Sequence, residues 1–274
     1  MDHAWILLLI GFLIGGLGTL IGAGGGFILV PLLLLTHPQL PPGTVTAISI
    51  AIVACNAISG SIAYARSLRI NYRAGLLFAA FTIPGSIIGV QVVKYVPASL
   101  FNILFGLLMI ALGIFLFLNK KKAGDDLVDK RSNLWKHYEQ TDREGIKYIY
   151  SYNQLAGVII SILVGFISPI LGIGGGIIHV PALVRWLKFP VHIATATSHF
   201  ILAIMSVTSV IAHIKHGTYN DPFVLRMVLF LCAGVIPGAQ VGAYFSHHIK
   251  GNMIIRALSV CLALVGIRVF LQGI

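Results

Sequence analysis

The sequence is short of charge, and of acids above all. Only 10% of its 274 residues are Asp, Glu, Lys or Arg, eight acids against 19 bases, where a soluble domain carries about 25%. Such a chain cannot clothe a water-facing surface, and its 57% hydrophobic content and mean hydropathy of +0.94 mark an integral membrane protein. Cysteine is scarce as well. Cys55, Cys232 and Cys261 each sit inside an apolar run, which excludes a disulfide framework or a metal-spaced cluster and leaves packing as their role. The apolar runs hold no acid and no nucleophile–base pair, so neither catalysis nor a resident cofactor or metal is expected.

What the chain has instead is length without charge. Windows 44–65, 74–93 and 98–118 contain no Asp, Glu, Lys or Arg, and each can cross about 30 Å of hydrocarbon as a helix. They lack the two-residue alternation of a transmembrane β-strand. The net charge of +11 is concentrated: eight of the 19 bases and six of the eight acids fall between Lys120 and Lys147. Segment 119–153 therefore reads as one charged, cytoplasmic linker between repeat 1–118 and repeat 154–274, by the positive-inside bias. The remaining base suits lipid headgroups, and nucleic acid is excluded as a partner. The first residues, with no basic n-region or small-residue cleavage site, read as a retained helix.

The chain writes one unit twice. "GAGGGFILVP" returns as "GIGGGIIHVP" at offset 150, "AIS" at 47–49 as "ATS" at 196–198, and "IPGSIIG" at 83–89 as "IPGAQVG" at 236–242. Apolar segments at 4–21, 27–36, 44–65, 74–95 and 98–118 match those at 154–171, 177–188, 191–213, 223–246 and 252–272. The second segment of each set is too short to span, which suits a half-helix. Either the first two segments form a hairpin returning to its own side, giving inverted repeats, or they form one broken crossing, giving parallel repeats. Arg66, Arg69 and Arg73, with Arg185, Lys188 and Lys250, favour inversion; Lys215 and Arg268 then face outside. The fold class expected is an all-α polytopic membrane protein of two repeats, each a Gly-interrupted helix pair plus three longer helices.

Gly24, Gly25 and Gly26, and Gly174, Gly175 and Gly176, interrupt apolar runs. A helix starting after such a break leaves its first N–H groups without intrahelical acceptors and carries about half a positive charge at that end. Hydrocarbon cannot satisfy them. Glycine accepts positive φ and lets a ligand approach the backbone, so two facing breaks make a small anion site. Gly85/Gly89 and Gly238/Gly242, at four-residue spacing, read instead as close packing. No Lys-Ser or Lys-Thr follows the glycines and the G-x-G-x-x-G spacing is absent, which removes a nucleotide reading.

The doubled G-x-G-G-G-x-x-x-V-P segment, followed by Ala-x-Ser and a G-x-x-x-G helix, resembles the TauE/SafE sulfite-exporter family of permeases over nearly the whole chain. The resemblance implies transport of sulfite, sulfonates or related sulfur-containing anions, coupled to an ion gradient, in an inner or plasma membrane. Insert 119–153 is longer than the linker usual there.

Ser49 and Ser198 hold matching places in the third segments, with Thr46, Asn56 and Thr197 nearby, and the repeat symmetry points to site lining. His179 and His199 sit inside apolar runs; an intramembrane imidazole suits proton coupling, and His199 also suits substrate binding. Gln91 and Gln240 read as interhelical glue, and Pro84 and Pro237 as kinks. Trp135, Tyr138, Tyr148, Tyr150 and Tyr152 read as an interfacial belt. The expected function is a secondary transporter of a small anion; a channel or a membrane-embedded sulfur-delivery protein are the alternatives. The expected partners are the small anion and membrane lipid, with a homodimer open.

Overall fold

A computed structural model describes residues 3–118, 135–246 and 251–273. Most of the charge-rich stretch, 119–134, lies outside those residues, as do Lys250 and the side chains of Trp135 and Cys261. The first repeat folds as α1 (Ala4–Ile21), α2 (Gly26–Thr36), α3 (Pro42–Arg66), α4 (Tyr72–Val92) and α5 (Ala98–Leu118). The second folds as α6 (Gln154–Leu171), α7 (Gly176–Arg185), α8 (Val191–Lys215), α9 (Pro222–Ser246) and α10 (Gly251–Gly273). Six of these, α1, α3, α4, α6, α8 and α9, are long and apolar enough to cross a membrane over their described residues. The chain is a multi-pass membrane protein. α2 and α7, at 11 and 10 residues, are the half-length pieces.

Local chemistry sets the element ends. Pro42 opens α3 where its missing N–H costs nothing. The Asn71 and Asn153 side chains accept the Ala74 and Ala156 amides at the starts of α4 and α6. α4 and α9 run through Pro84 and Pro237 without interruption.

The principal helix pairs cross between repeats, and glycines set their closeness. α1 lies beside α9 in parallel: Cβ atoms on Gly234, Gly238 and Gly242 would fall 2.1–2.2 Å from the carbonyl oxygens of Leu8, Phe12 and Gly16. α4 meets α6 in the same way through Gly85, Gly89 and Gly165. The G-x-x-x-G pairs are thus packing devices, as their spacing predicts. Equivalent helices meet antiparallel. On α5 and α10, Gly106 lies against Phe270, and Gly113 against Ala263. The end of α3 reaches the beginning of α8, where Tyr64 packs edge-on against His199 at 5.6 Å and the Asn71 amide bonds Thr197 Oγ1 at 3.0 Å.

Residues 135–153 of the insert form a β-hairpin, which their charge did not predict. β1 (Trp135–Thr141) and β2 (Lys147–Asn153) pair antiparallel, with Tyr138 opposite Tyr150. The expected aromatic belt is corrected here: Tyr150 and Tyr152 are buried, each 4.8 Å from Phe189, and Tyr152 also meets Phe78. Burial pushes the Tyr150 phenol up to about 12, so it stays neutral and accepts a 2.7 Å bond from Asn71 Nδ2. Gln240 acts as glue, donating to Ser59 O at 2.7 Å, whereas Gln91 is exposed.

Candidate anion site at the paired helix breaks

Each break is a run of left-handed backbone. Gly22, Gly24 and Gly25 have φ of 82°, 77° and 83°, and Gly172, Gly174 and Gly175 have 69°, 75° and 82°, a conformation that costs any other L-residue about 1–2 kcal/mol. In the first break the Ala23 and Gly24 amides turn back onto Gly18 O, at 2.9 and 3.2 Å, and the Ile28 and Leu29 amides bond Gly25 O. The amides of Gly25, Gly26 and Phe27 are left with no protein acceptor among the described residues. In the second break Ile173 turns back onto Ser168 O, and Ile178 and His179 bond Gly175 O. That leaves Gly174, Gly175, Gly176 and Ile177 in the same condition. All of residues 21–27 and 171–177 are buried, where an unmet amide is costly.

The two breaks abut. A Cβ on Gly26 would lie 2.5 Å from Gly172 O, and one on Gly176 would lie 2.4 Å from Gly22 O. Ser49 donates to Gly172 O at 2.6 Å and Ser198 to Gly22 O at 3.4 Å. The repeat-matched serines therefore each tie their own repeat to the other repeat's break, and their protons are engaged. Val53 packs on Gly24, Gly26 and Gly174, and Leu202 on Gly24.

The polar surroundings differ between breaks. Beside the first, Thr19 donates to Asn56 Oδ1 at 2.5 Å, which fixes the amide and directs Nδ2 toward the Gly25 backbone. That NH2 is buried and unpartnered. Thr19 has one proton and has given it to Asn56, so the 3.3 Å contact to His199 Nε2 requires the ring to donate. His199 is then the Nε2–H tautomer, with its buried Nδ1 lone pair unpartnered. Beside the second break, Met205 replaces Asn56 and Ser168 replaces Gly18; the Ser168 hydroxyl is buried and unpartnered, 3.2 Å from a Cβ on Gly175. His179 belongs elsewhere, against α6, where Ser161 gives its proton to Gly157 O and receives the His179 Nε2 contact at 3.4 Å. Thr197 holds the α4 entrance and Thr46 bonds Gly43 O. Thr19, Ser168 and Ser161 escaped the sequence reading, although a hydroxyl three or four residues before each break was there to be seen.

Cys55 and Cys232 are free thiols side by side between α3 and α9, with Cys232 directed at Ala51 O. No group of three His, Cys, Asp or Glu suited to a metal occurs among the described residues.

Half-length helices meet at buried glycine breaks within a bundle of apolar helices, and likeness to known proteins makes the chain a membrane transporter. Residues 7–269 match the family described as Sulfite exporter TauE/SafE, and the chain belongs to it. It is 31% identical to the "Probable membrane transporter protein YunE" of Bacillus subtilis, over 98% of each chain. A probable membrane transporter protein of Methanocaldococcus jannaschii is 27% identical, over 96% of this chain and 93% of its own. The YdhB protein of Bacillus subtilis, also named a probable membrane transporter, is 26% identical over 96% and 98%. No solved structure matches the chain.

Proposed function

We propose that the protein is a secondary transporter of a small anion, a sulfur-containing oxyanion or sulfonate, carried by alternating access between two inverted repeats. The observation that carries this reading is the pair of abutting breaks, each with three or more buried amides lacking an acceptor among the described residues. Amides and helix N-termini attract negative charge without the cost of placing Lys or Arg in hydrocarbon. Asn56 Nδ2 and the Ser168 hydroxyl add one donor at each break. The sulfur chemistry follows the family's name.

Inversion is supported by the direction of matched helices. α3 with α8 and α5 with α10 run antiparallel, as a two-fold axis in the membrane plane requires. Arg66, Arg69, Arg73 and Lys188 gather at the hairpin face, while Lys94 and Lys215 end helices at the other, so the hairpin face is cytoplasmic. His199, with a free Nδ1 one hydroxyl away from Asn56, is suited to couple a proton to the anion. Burial of both breaks on every side fits a carrier in its closed state better than an open channel.

The test is counterflow in proteoliposomes against sulfite, thiosulfate, sulfate, sulfoacetate, taurine, chloride and lactate. Saturable exchange of one sulfur anion is expected, with a pH profile altered in His199→Leu. Unitary currents at channel rates would replace the carrier by a channel. Loss of activity on replacing Cys55, Cys232 and Cys261 by Ala would favour sulfur delivery.

A further inference from the structure

We propose that the hairpin of β1 and β2 is a clasp that holds the two repeats together at its own face, with Arg69 and Asp142 as the catch. The proposal rests on the reading that the breaks are reached alternately from two faces.

At its base the hairpin is continuous with the second repeat and touches both, since Tyr150 also accepts from Asn71 and Tyr152 also meets Phe78 on the first. β2 runs directly into α6, and Tyr150 and Tyr152 pack on Phe189, in the turn between α7 and α8. Its tip grips the first repeat, at the turn between α3 and α4. Gln140 Nε2 donates to Leu68 O at 2.7 Å and the Arg143 amide to Ser67 O at 3.2 Å. Arg69 donates to Asp142 Oδ2 from Nε at 3.1 Å and from the terminal nitrogen at 2.9 Å. The same carboxylate takes the Glu144 and Ile146 amides on Oδ1 and the Tyr148 hydroxyl on Oδ2. Arg69 and Asp142 side chains are only 3% and 0% exposed. The tip thus adds its own grip on the α3–α4 turn to the contacts that the base and the Asn71–Thr197 bond make between the repeats at this face.

The chemistry of the grip suits release. A buried ion pair adds little net stability against an apolar alternative, but removal of one member is strongly unfavourable, so such pairs serve as registers and switches. The tip is held by hydrogen bonds and by the ion pairs of Arg69 with Asp142 and, at 3.5 Å, Glu144, groups that water can satisfy when the contact opens. The base is held mainly by aromatic burial, against Phe189 and Phe78, which does not exchange so readily. The tip therefore lifts while the base stays.

Hydrogen–deuterium exchange in nanodiscs tests the clasp without any substrate, so its failure is separable from failure of the transport reading. The variant is Arg69→Cys/Asp142→Cys with Cys55, Cys232 and Cys261 replaced by Ala, reduced or bridged by a short bifunctional thiosulfonate. Amides at 22–28 and 172–178 should exchange several-fold faster in the reduced form than in the bridged one, and reductant should restore the fast rate. Gln140→Ala in the natural chain, which leaves the ion pair intact, should give a smaller rise in the same peptides. Equal exchange at the breaks in reduced and bridged protein, or no rise in Gln140→Ala although the tip's own amides exchange faster, would overturn the proposal.

Discussion

At the scale of single residues, the proposed anion site turns on Asn56. Its carbonyl oxygen is engaged by Thr19, so its NH2 has one direction left, beside Gly25. A hydrogen bond to a charged group contributes about 1.5–3 kcal/mol, so Asn56→Leu should weaken binding of the transported anion by about ten- to hundredfold. A titration by thermal shift of the purified variant checks this; unchanged affinity would remove Asn56 from the site. The glycines and the serine pair were legible because the chain repeats them at fixed offset. The direction of the serine hydroxyls was not, because Gly172 O and Gly22 O are brought there by the opposite repeat. Thr19 and Ser168 carried only the signal of their place before each break, because a lone hydroxyl in a helix commonly bonds its own backbone; the fold is what shows that they adjoin the breaks.

At the scale of elements, glycine spacing and helix contact agree. Gly238 admits no side chain, since a Cβ would stand 2.1 Å from Phe12 O on the neighbouring backbone. Gly238→Leu should lower stability by about 1–3 kcal/mol through overpacking, seen as a lower melting temperature in detergent, without altering the anion preference of the protein that remains folded. The hairpin makes a pH prediction. Burial would raise the Asp142 carboxyl, but the Ile146 amide and the Arg69 guanidinium outweigh it and hold its pKa below the ordinary value. A depressed carboxylate stabilises the docked state above its unfolded pKa of about 3.9 and loses that contribution as pH falls through the folded value. Hairpin docking should thus be unchanged from pH 8 to 5 and fail only in stronger acid, as read by Tyr fluorescence; release near neutrality would contradict the assignment. The helices were legible from apolar length alone. The hairpin was not, because two strands are marginal by themselves and this pair depends on Phe189, Asn71 and Arg69 from elsewhere in the chain.

At the scale of the whole molecule, duplication was evident in the sequence but its handedness was not, since eight charges, six on one side and two on the other, cannot fix an orientation. The antiparallel meeting of α5 with α10 supplies the argument for inversion. Glu139→Cys on the hairpin should accordingly react with an impermeant maleimide only from the cytoplasmic side, and Lys215→Cys only from the opposite side; labelling of both from one side would exclude the inverted arrangement. The central claim, that bare backbone amides at two abutting breaks hold the anion, is tested most directly by flux. Gly25→Val and Gly175→Val should each insert into the membrane yet show no exchange of the sulfur anion that the unaltered protein carries in proteoliposomes. Exchange at the unaltered rate in both variants would contradict it.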